Sequence, residues 1–163
     1  MWLFTKNLFF AVLVPGTVAV WLPLWIGGGF ASVTGYGWPQ WLGLALVTVG
    51  VVTVLVAIFF FGTKGKGTPA VFDPPVHLVI RGPHRYVRNP MYATVVMTTL
   101  GWALFFRSWN LAIYAGAAWI VFHVFVTLVE EPGLRRRFGA EYEAYCRAVS
   151  RWLPGRGYSA NAG

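Results

Sequence analysis

Little of this chain is charged: 11% of its 163 residues, with only five of them acidic. Charged residues make up about a quarter of an ordinary soluble domain. Here 57% of residues are hydrophobic and nine are tryptophan, so an independently soluble fold is excluded and a bilayer is the expected solvent. Cys146 is the only cysteine, which rules out both a disulfide framework and a thiolate metal site. The loop between Ile26 and Trp41 carries no charge of either sign. The stretch from Gly62 to Pro69 is rich in glycine and lysine but lacks Gly-Lys-Ser/Thr at phosphate-loop spacing, and no helix can begin there, so a nucleotide triphosphate site is discarded.

What the chain does have is four apolar runs: Leu8 to Ile26, Trp41 to Phe61, Met91 to Phe106 and Leu111 to Val129. A spanning helix needs about 20 residues. The third run has 16, and only Arg107-Ser108-Trp109-Asn110 separates it from the fourth, which makes the pair a helical hairpin that either crosses fully or dips in. The expected fold is all-α, a polytopic membrane helix bundle of about four spans with a C-terminal helical hairpin and a cytosolic amphipathic helix. Pro15 and Pro23 should kink the first span against its neighbours. Gly43, Gly50 and Gly101 would allow close helix contacts, within one chain or between chains.

Orientation follows from the basic residues, because cytoplasmic loops retain Lys and Arg. Of the thirteen, twelve fall at Lys6, in the 62–90 loop, or after Val129; Arg107 alone lies on the other side. Both termini and the working face are therefore expected to be cytoplasmic in a multi-pass integral membrane protein, of a bacterial or similar inner membrane. The net charge of +8 is explained by this topology and by anionic headgroups, with no need of nucleic acid. After Pro132 the apolar positions Leu134, Phe138, Tyr142, Tyr145 and Val149 fall on one face of a helix. Residues 1–154 form one membrane domain, and 155–163 read as a disordered tail.

Two polar clusters sit at helix ends. Arg81-Gly82-Pro83-His84-Arg85-Tyr86-Val87-Arg88-Asn89-Pro90-Met91-Tyr92 leads into the third run, where Pro90 leaves free backbone N–H groups facing the loop. Glu130-Glu131-Pro132 closes the fourth. A helix C-terminus already carries partial negative charge, so two acids there need something cationic, either the loop arginines or a cationic ligand. The two ends are expected to make one site, with Arg88, Asn89, Tyr92 and Glu130 at its chemical centre. His84 and His123 lie on different elements, and no metal is expected.

These motifs, followed by Phe138-Gly139-Ala140-Glu141-Tyr142-Glu143-Ala144-Tyr145 and Arg151-Trp152-Leu153-Pro154, resemble the isoprenylcysteine carboxyl methyltransferase and phospholipid methyltransferase family over residues 72 to 154. The resemblance implies an integral membrane enzyme that moves a methyl group from S-adenosylmethionine, bound at the cytosolic face, to a lipophilic acceptor. It places the cofactor against Val76, His77, Leu78 and Val79, against His84, along Asn89, Pro90, Met91 and Tyr92, and at Glu130 and Leu134. A sulfonium and an α-amino group suit Glu130, and aromatic faces such as Tyr86 and Tyr92 suit the adenine and the methyl.

The chain departs from the family at His84, where Tyr is common, and at Asn89, where His is common. Enzymes acting on prenylated cysteine carry an arginine four residues before the first glutamate. Here that position is Val126, with His123 one turn further back as the nearest polar substitute; these two residues mark the acceptor side, and the acceptor is an isoprenoid carboxylate, another lipid or another hydrophobic small molecule. The alternatives are a nicotinamide-dependent membrane reductase of related core and a non-enzymatic membrane scaffold; the oligomeric state stays open.

Overall fold

The computed structural model describes residues 12–33, 35–60, 78 and 80–158. Every regular element among them is helical. A π-wound helix, Val12–Trp21, runs directly into the short α1 (Leu22–Ile26); α2 is Trp38–Phe60, α3 is Pro90–Phe105 and α4 is Trp109–Phe125. A π-helical turn, Val126–Glu130, joins α4 to α5 (Glu131–Ala148), and single 3-10 turns lie at Phe30–Ser32 and Gly82–Arg85. Two stretches are long and apolar enough to cross a membrane: Trp38–Ala57 in α2, and the continuous helix that starts at Trp109. α3, at 16 residues, is apolar but rises only about 24 Å.

α3 is the central element, packed against α2, α4, α1 and the first helix. Its seam with α2 is made by glycines. A Cβ at Gly43 would come within 2.5 Å of the Gly101 carbonyl oxygen, one at Gly101 within 2.7 Å of the Gly43 carbonyl oxygen, and one at Gly50 would collide with Thr98 Oγ1. The small residues therefore serve contact within the chain, letting two backbones approach to a distance that side chains would forbid. Near the α3–α4 turn, Trp102, Phe105 and Leu111 form a buried cluster.

The two prolines of the first helix have different consequences. Pro15 is absorbed inside the π-wound stretch. Pro23 has no N–H to give to the carbonyls one α-turn or one π-turn back, those of Ala19 and Val18. Both are met from elsewhere: Trp102 Nε1 donates to the Ala19 carbonyl at 2.9 Å, and Tyr114 Oη to the Val18 carbonyl at 3.1 Å. Side chains of α3 and α4 thus replace the donor that proline removed, as a low-dielectric setting requires.

The expected apolar face of the tail helix forms: Tyr142, Tyr145 and Val149 are buried together, with Leu134 and Phe138 packed against them. Two features differ from expectation. The helix does not restart at Pro132 but continues from α4 through the π turn, and it breaks at Gly139, whose φ of 49° and ψ of −124° are non-helical. Where disorder was expected from Gly155 onward, Gly155 N donates to the Tyr86 carbonyl and Tyr158 N to the Arg85 carbonyl, each at 2.9 Å. Residues 159–163 lie outside the described residues.

Trp102→Phe strands the Ala19 carbonyl in the interior and should cost about 1–3 kcal/mol. In a Pro23→Ala background, where the backbone N–H returns, the same change should cost measurably less. A double-mutant cycle on unfolding midpoints in detergent checks this; equal costs in both backgrounds would refute the replacement of donors.

Candidate active site

The loop before α3 and the end of α4 meet, as the two clusters require. Glu131 is the point of contact. It is 2% exposed, and Arg151 grips it with a two-pronged fork, Nε to Oε1 at 2.7 Å and Nη2 to Oε2 at 2.9 Å. Arg88 Nη1 reaches Oε1 at 3.0 Å, and Arg135 Nη2 stands 3.9 Å from Oε2. Burial alone would raise the Glu131 carboxyl, but the Arg151 hydrogen bonds and the charges of Arg88, Arg151 and Arg135 outweigh it and hold the group below the ordinary glutamate range. Bidentate arginine pairs are among the strongest polar contacts available to a protein.

Around this carboxylate the segment after α5 is laced to the loop. Arg88 N donates to the Ser150 carbonyl at 2.9 Å and Asn89 Nδ2 to the Arg151 carbonyl at 3.3 Å. Tyr145 Oη donates to the His84 carbonyl at 2.6 Å. Gly82, at φ 57°, places the loop against α2, where a Cβ would collide with the Phe60 ring. His84 is buried, and that burial pushes its imidazole down to about 4, against a hydrogen bond with the Arg81 backbone that favours the charged form. It is a neutral residue at physiological pH.

Glu130 has a different environment. Tyr92 Oη donates to its Oε2 at 2.9 Å, and no Lys, Arg or His pairs with it among the described residues. Tyr92 itself sits beside Phe122 and Phe125, with ring centroids 5.0 and 6.4 Å away. The π turn that ends in Glu130 adds backbone to the helix at this point, so the two glutamates part company: one enters the arginine knot, and its neighbour takes the aromatic side. Such π turns are often found at functional sites. Leu134 and Leu78 pack on the separate cluster of Tyr142, Tyr145 and Val149, so the segment before the Gly-Pro turn reaches α5. Arg88 Nε is buried with no hydrogen-bond partner among the described residues, a donor left available.

The remaining expected residues are distributed as follows. Asn89 and Pro90 are buried at the start of α3, and Met91 is half-buried; Asn89, at the N-cap position, makes no capping side-chain bond, having turned to Arg151. Tyr86 is not joined to the Glu130 group by any hydrogen bond or ring contact; its ring lies beside Gly157. Val126 is completely buried. His123 stacks on Trp119, and its Nδ1 accepts from Trp152 Nε1 at 3.1 Å. Val76, His77 and Val79 lie outside the described residues. Among the described residues no group of three or more His, Cys, Asp or Glu is placed to hold a metal ion.

The family model for phospholipid methyltransferases matches residues 38–141. The chain belongs to this family. No match was found among curated proteins or among solved structures. The matched stretch opens at the first residue of α2 and closes within α5, so it takes in α2, the arginine loop, α3, α4, the π turn and the part of α5 that carries Glu131. Arg151 and Trp152 fall outside it, although they complete the Glu131 knot and hold His123. Sequence reasoning used them only as the end of a motif; the one signal for a larger role is an arginine separated from two glutamates by a single amphipathic helix.

Glu131→Gln leaves two arginines around an uncharged buried amide. Breaking such a group from one side costs about 3–5 kcal/mol, and the expected result is a large fall in melting temperature. The sign with pH follows from the depressed carboxyl. Its contribution is full above the ordinary value of 4.5 and is lost as pH falls through the lower folded value. Wild-type melting temperature should therefore drop on acidification below about pH 4.5 by more than that of Glu131→Gln, and parallel curves would refute the assignment.

Proposed function

We propose that this phospholipid methyltransferase family member transfers a methyl group from S-adenosylmethionine to a lipophilic acceptor, with cofactor and reacting atoms gathered at Tyr92 and Glu130. The observation that carries the reading is the unpaired state of Glu130. Its neighbour collects three arginines while it collects none, in a setting where an uncompensated carboxylate is costly. A cofactor with a sulfonium and an ammonium group supplies the missing charge. S-adenosylmethionine brings an electrophilic methyl, and the chain's own part is to hold and enclose it.

In this scheme Glu130 binds the cationic end, and Tyr92 fixes the carboxylate by donating to Oε2, leaving Oε1 for the ligand. Phe122 and Phe125 keep water from the reacting centre, and Arg88 Nε offers a donor to an anionic oxygen of the bound molecule. Leu78 and Leu134, which pack together on the Tyr142, Tyr145 and Val149 cluster, are the apolar surface that the family resemblance assigns to the cofactor. Methyl transfer is an in-line displacement, so alignment and exclusion of water are expected to provide most of the acceleration. The acceptor enters from the bilayer along α3 and α4. His123, whose Nδ1 accepts from Trp152, is left in the tautomer that donates through Nε2 and is the polar group on that side. Membership of a methyltransferase family supports methyl transfer over the reductase reading, and cofactor binding separates it from the scaffold reading. By the distribution of Lys and Arg, the site faces the cytosol.

Glu130→Ala should weaken equilibrium binding of S-adenosylmethionine in detergent by more than about tenfold, the scale set by losing a charge-assisted hydrogen bond, with the melting temperature unchanged. Tyr92→Phe should show a smaller loss in the same assay. Affinity retained in a well-folded Glu130→Ala protein would sink the proposal. An amine acceptor would make the rate rise with pH through the amine's pKa, whereas a flat profile would indicate a carboxylate.

A further inference from the structure

At the end of the bundle opposite Glu130 a cavity of about 360 Å³ opens between residues 32, 33 and 35–37, the start of α2 and the α3–α4 turn. Its polar lining includes Ser32, Tyr36, Gln40 and Arg107, and its apolar floor is Phe105 and Phe106. The size is within the usual range for a small-ligand site, roughly 300–1,000 Å³. Four independent features of Arg107 and its surroundings point to a ligand, and none of them depends on the methyl-transfer reading.

Arg107 is out of place by topology. Every other charged residue among those described lies in 81–88 or 130–156, and a lone arginine at the far end runs against the distribution that sets orientation. It is also out of place in the backbone. α3 ends in a Schellman motif, with Ser108 N donating to the Ala103 carbonyl at 2.9 Å and Arg107 N to the Leu104 carbonyl at 3.3 Å. The C′ position of that motif takes a positive φ and is usually glycine; here it is Arg107, at φ 49°. A strained residue that the local fold would prefer as glycine is a pointer to function.

The other two features concern what surrounds it. Gln40, only 3% exposed, spends its Oε1 on Gly37 N at 3.0 Å, which leaves its amide N–H₂ without a partner among the described residues. Arg107 has no acid partner there either, and its Nη2 lies about 3.5 Å from where a Gly37 side chain would start. The cavity therefore offers a guanidinium and an amide donor with no carboxylate among the described residues to meet them. Around this end Trp25, Tyr36, Trp38, Trp41 and Trp109 are all well exposed, the aromatic belt that marks headgroup level.

We infer that this cavity binds the phosphate of a membrane phospholipid headgroup, with Arg107 and Gln40 as donors and the Phe105–Phe106 floor under the glycerol region. The aromatic belt selects a lipid as the source of the phosphate over a free anion. The test uses the purified full chain in detergent, with dioctanoyl phosphatidylglycerol as probe and binding read by native mass spectrometry alongside thermal shift. Wild type should bind saturably. Arg107→Gly should lose about tenfold or more in affinity, while its melting temperature without lipid stays level or rises, because glycine accepts the φ. An Arg136→Gln/Arg137→Gln double variant, which alters the basic stretch at the other end, should bind like wild type. Three results would overturn the inference: Arg107→Gly binding within twofold of wild type, loss of binding in the double variant instead, or saturation of the same site by inorganic phosphate at matched concentration.

Discussion

The Glu131 carboxylate, buried and shared by three arginines, is the contact on which the rest of the polar cap depends. It ties together stretches far apart in sequence: Arg88 from the loop before α3, the first turn of α5, and Arg151 from the segment beyond it. Hydrophobic burial secures α5 through Tyr142, Tyr145 and Val149, but the loop is polar and the final segment has almost no regular structure, so their mutual position rests on these charges as well. The helix runs on through both acids instead of ending at them, so what makes them costly is burial and mutual repulsion rather than a helix terminus, and the protein resolves this by dividing them. One is neutralised internally and becomes structural, which leaves its neighbour to face an aromatic wall with a single tyrosine donor.

The same logic governs the apolar part. In a low-dielectric environment every backbone group must find a partner, so each departure from plain α-helix has to be answered by a side chain. Pro23 is answered by Trp102 and Tyr114, and the broken end of α3 by the Schellman bonds of Arg107 and Ser108. α3 gives one of these donors from its core-facing side while its glycine seam holds α2. The helix that carries Tyr92 at one end is thus fixed on several sides, and a site built on its first turn inherits that rigidity.

Much of this was legible in the residues. Apolar runs separated by short polar links gave the helices, because a spanning helix must be continuous and apolar. The spacing of Leu134, Phe138, Tyr142, Tyr145 and Val149 gave the buried face of α5. That Glu130-Glu131 and the arginine loop should meet followed from charge compensation alone. Less could be read where local geometry decides. The π turn at Val126–Glu130 has no composition of its own, and Gly139 marks a break only once its φ is known. Which glutamate takes the arginines depends on that extra backbone and on Arg151, and no spacing rule reports either. Gly155 to Tyr158 look disordered by composition, yet backbone hydrogen bonds to Tyr86 and Arg85, which leave no trace in side-chain chemistry, hold them.

The shortness of α3 links the two ends of the molecule. Its rise of about 24 Å falls short of a hydrocarbon core of about 30 Å. On the readings proposed above, the Arg107 end is held at headgroup level by its aromatic belt, so the Pro90 end stops several ångströms inside the opposite boundary. Tyr92 and Glu130 then lie at acyl-chain depth, where a lipophilic acceptor can reach them without leaving the bilayer, and where water is scarce enough for a carboxylate to hold a cation tightly. Just outside that depth, charges that are buried and take no ligand must still be paired within the protein. The knot of Glu131 with Arg88 and Arg151 meets that demand, which explains why the structural acid is the buried one and why a third arginine stands close by at the solvent edge.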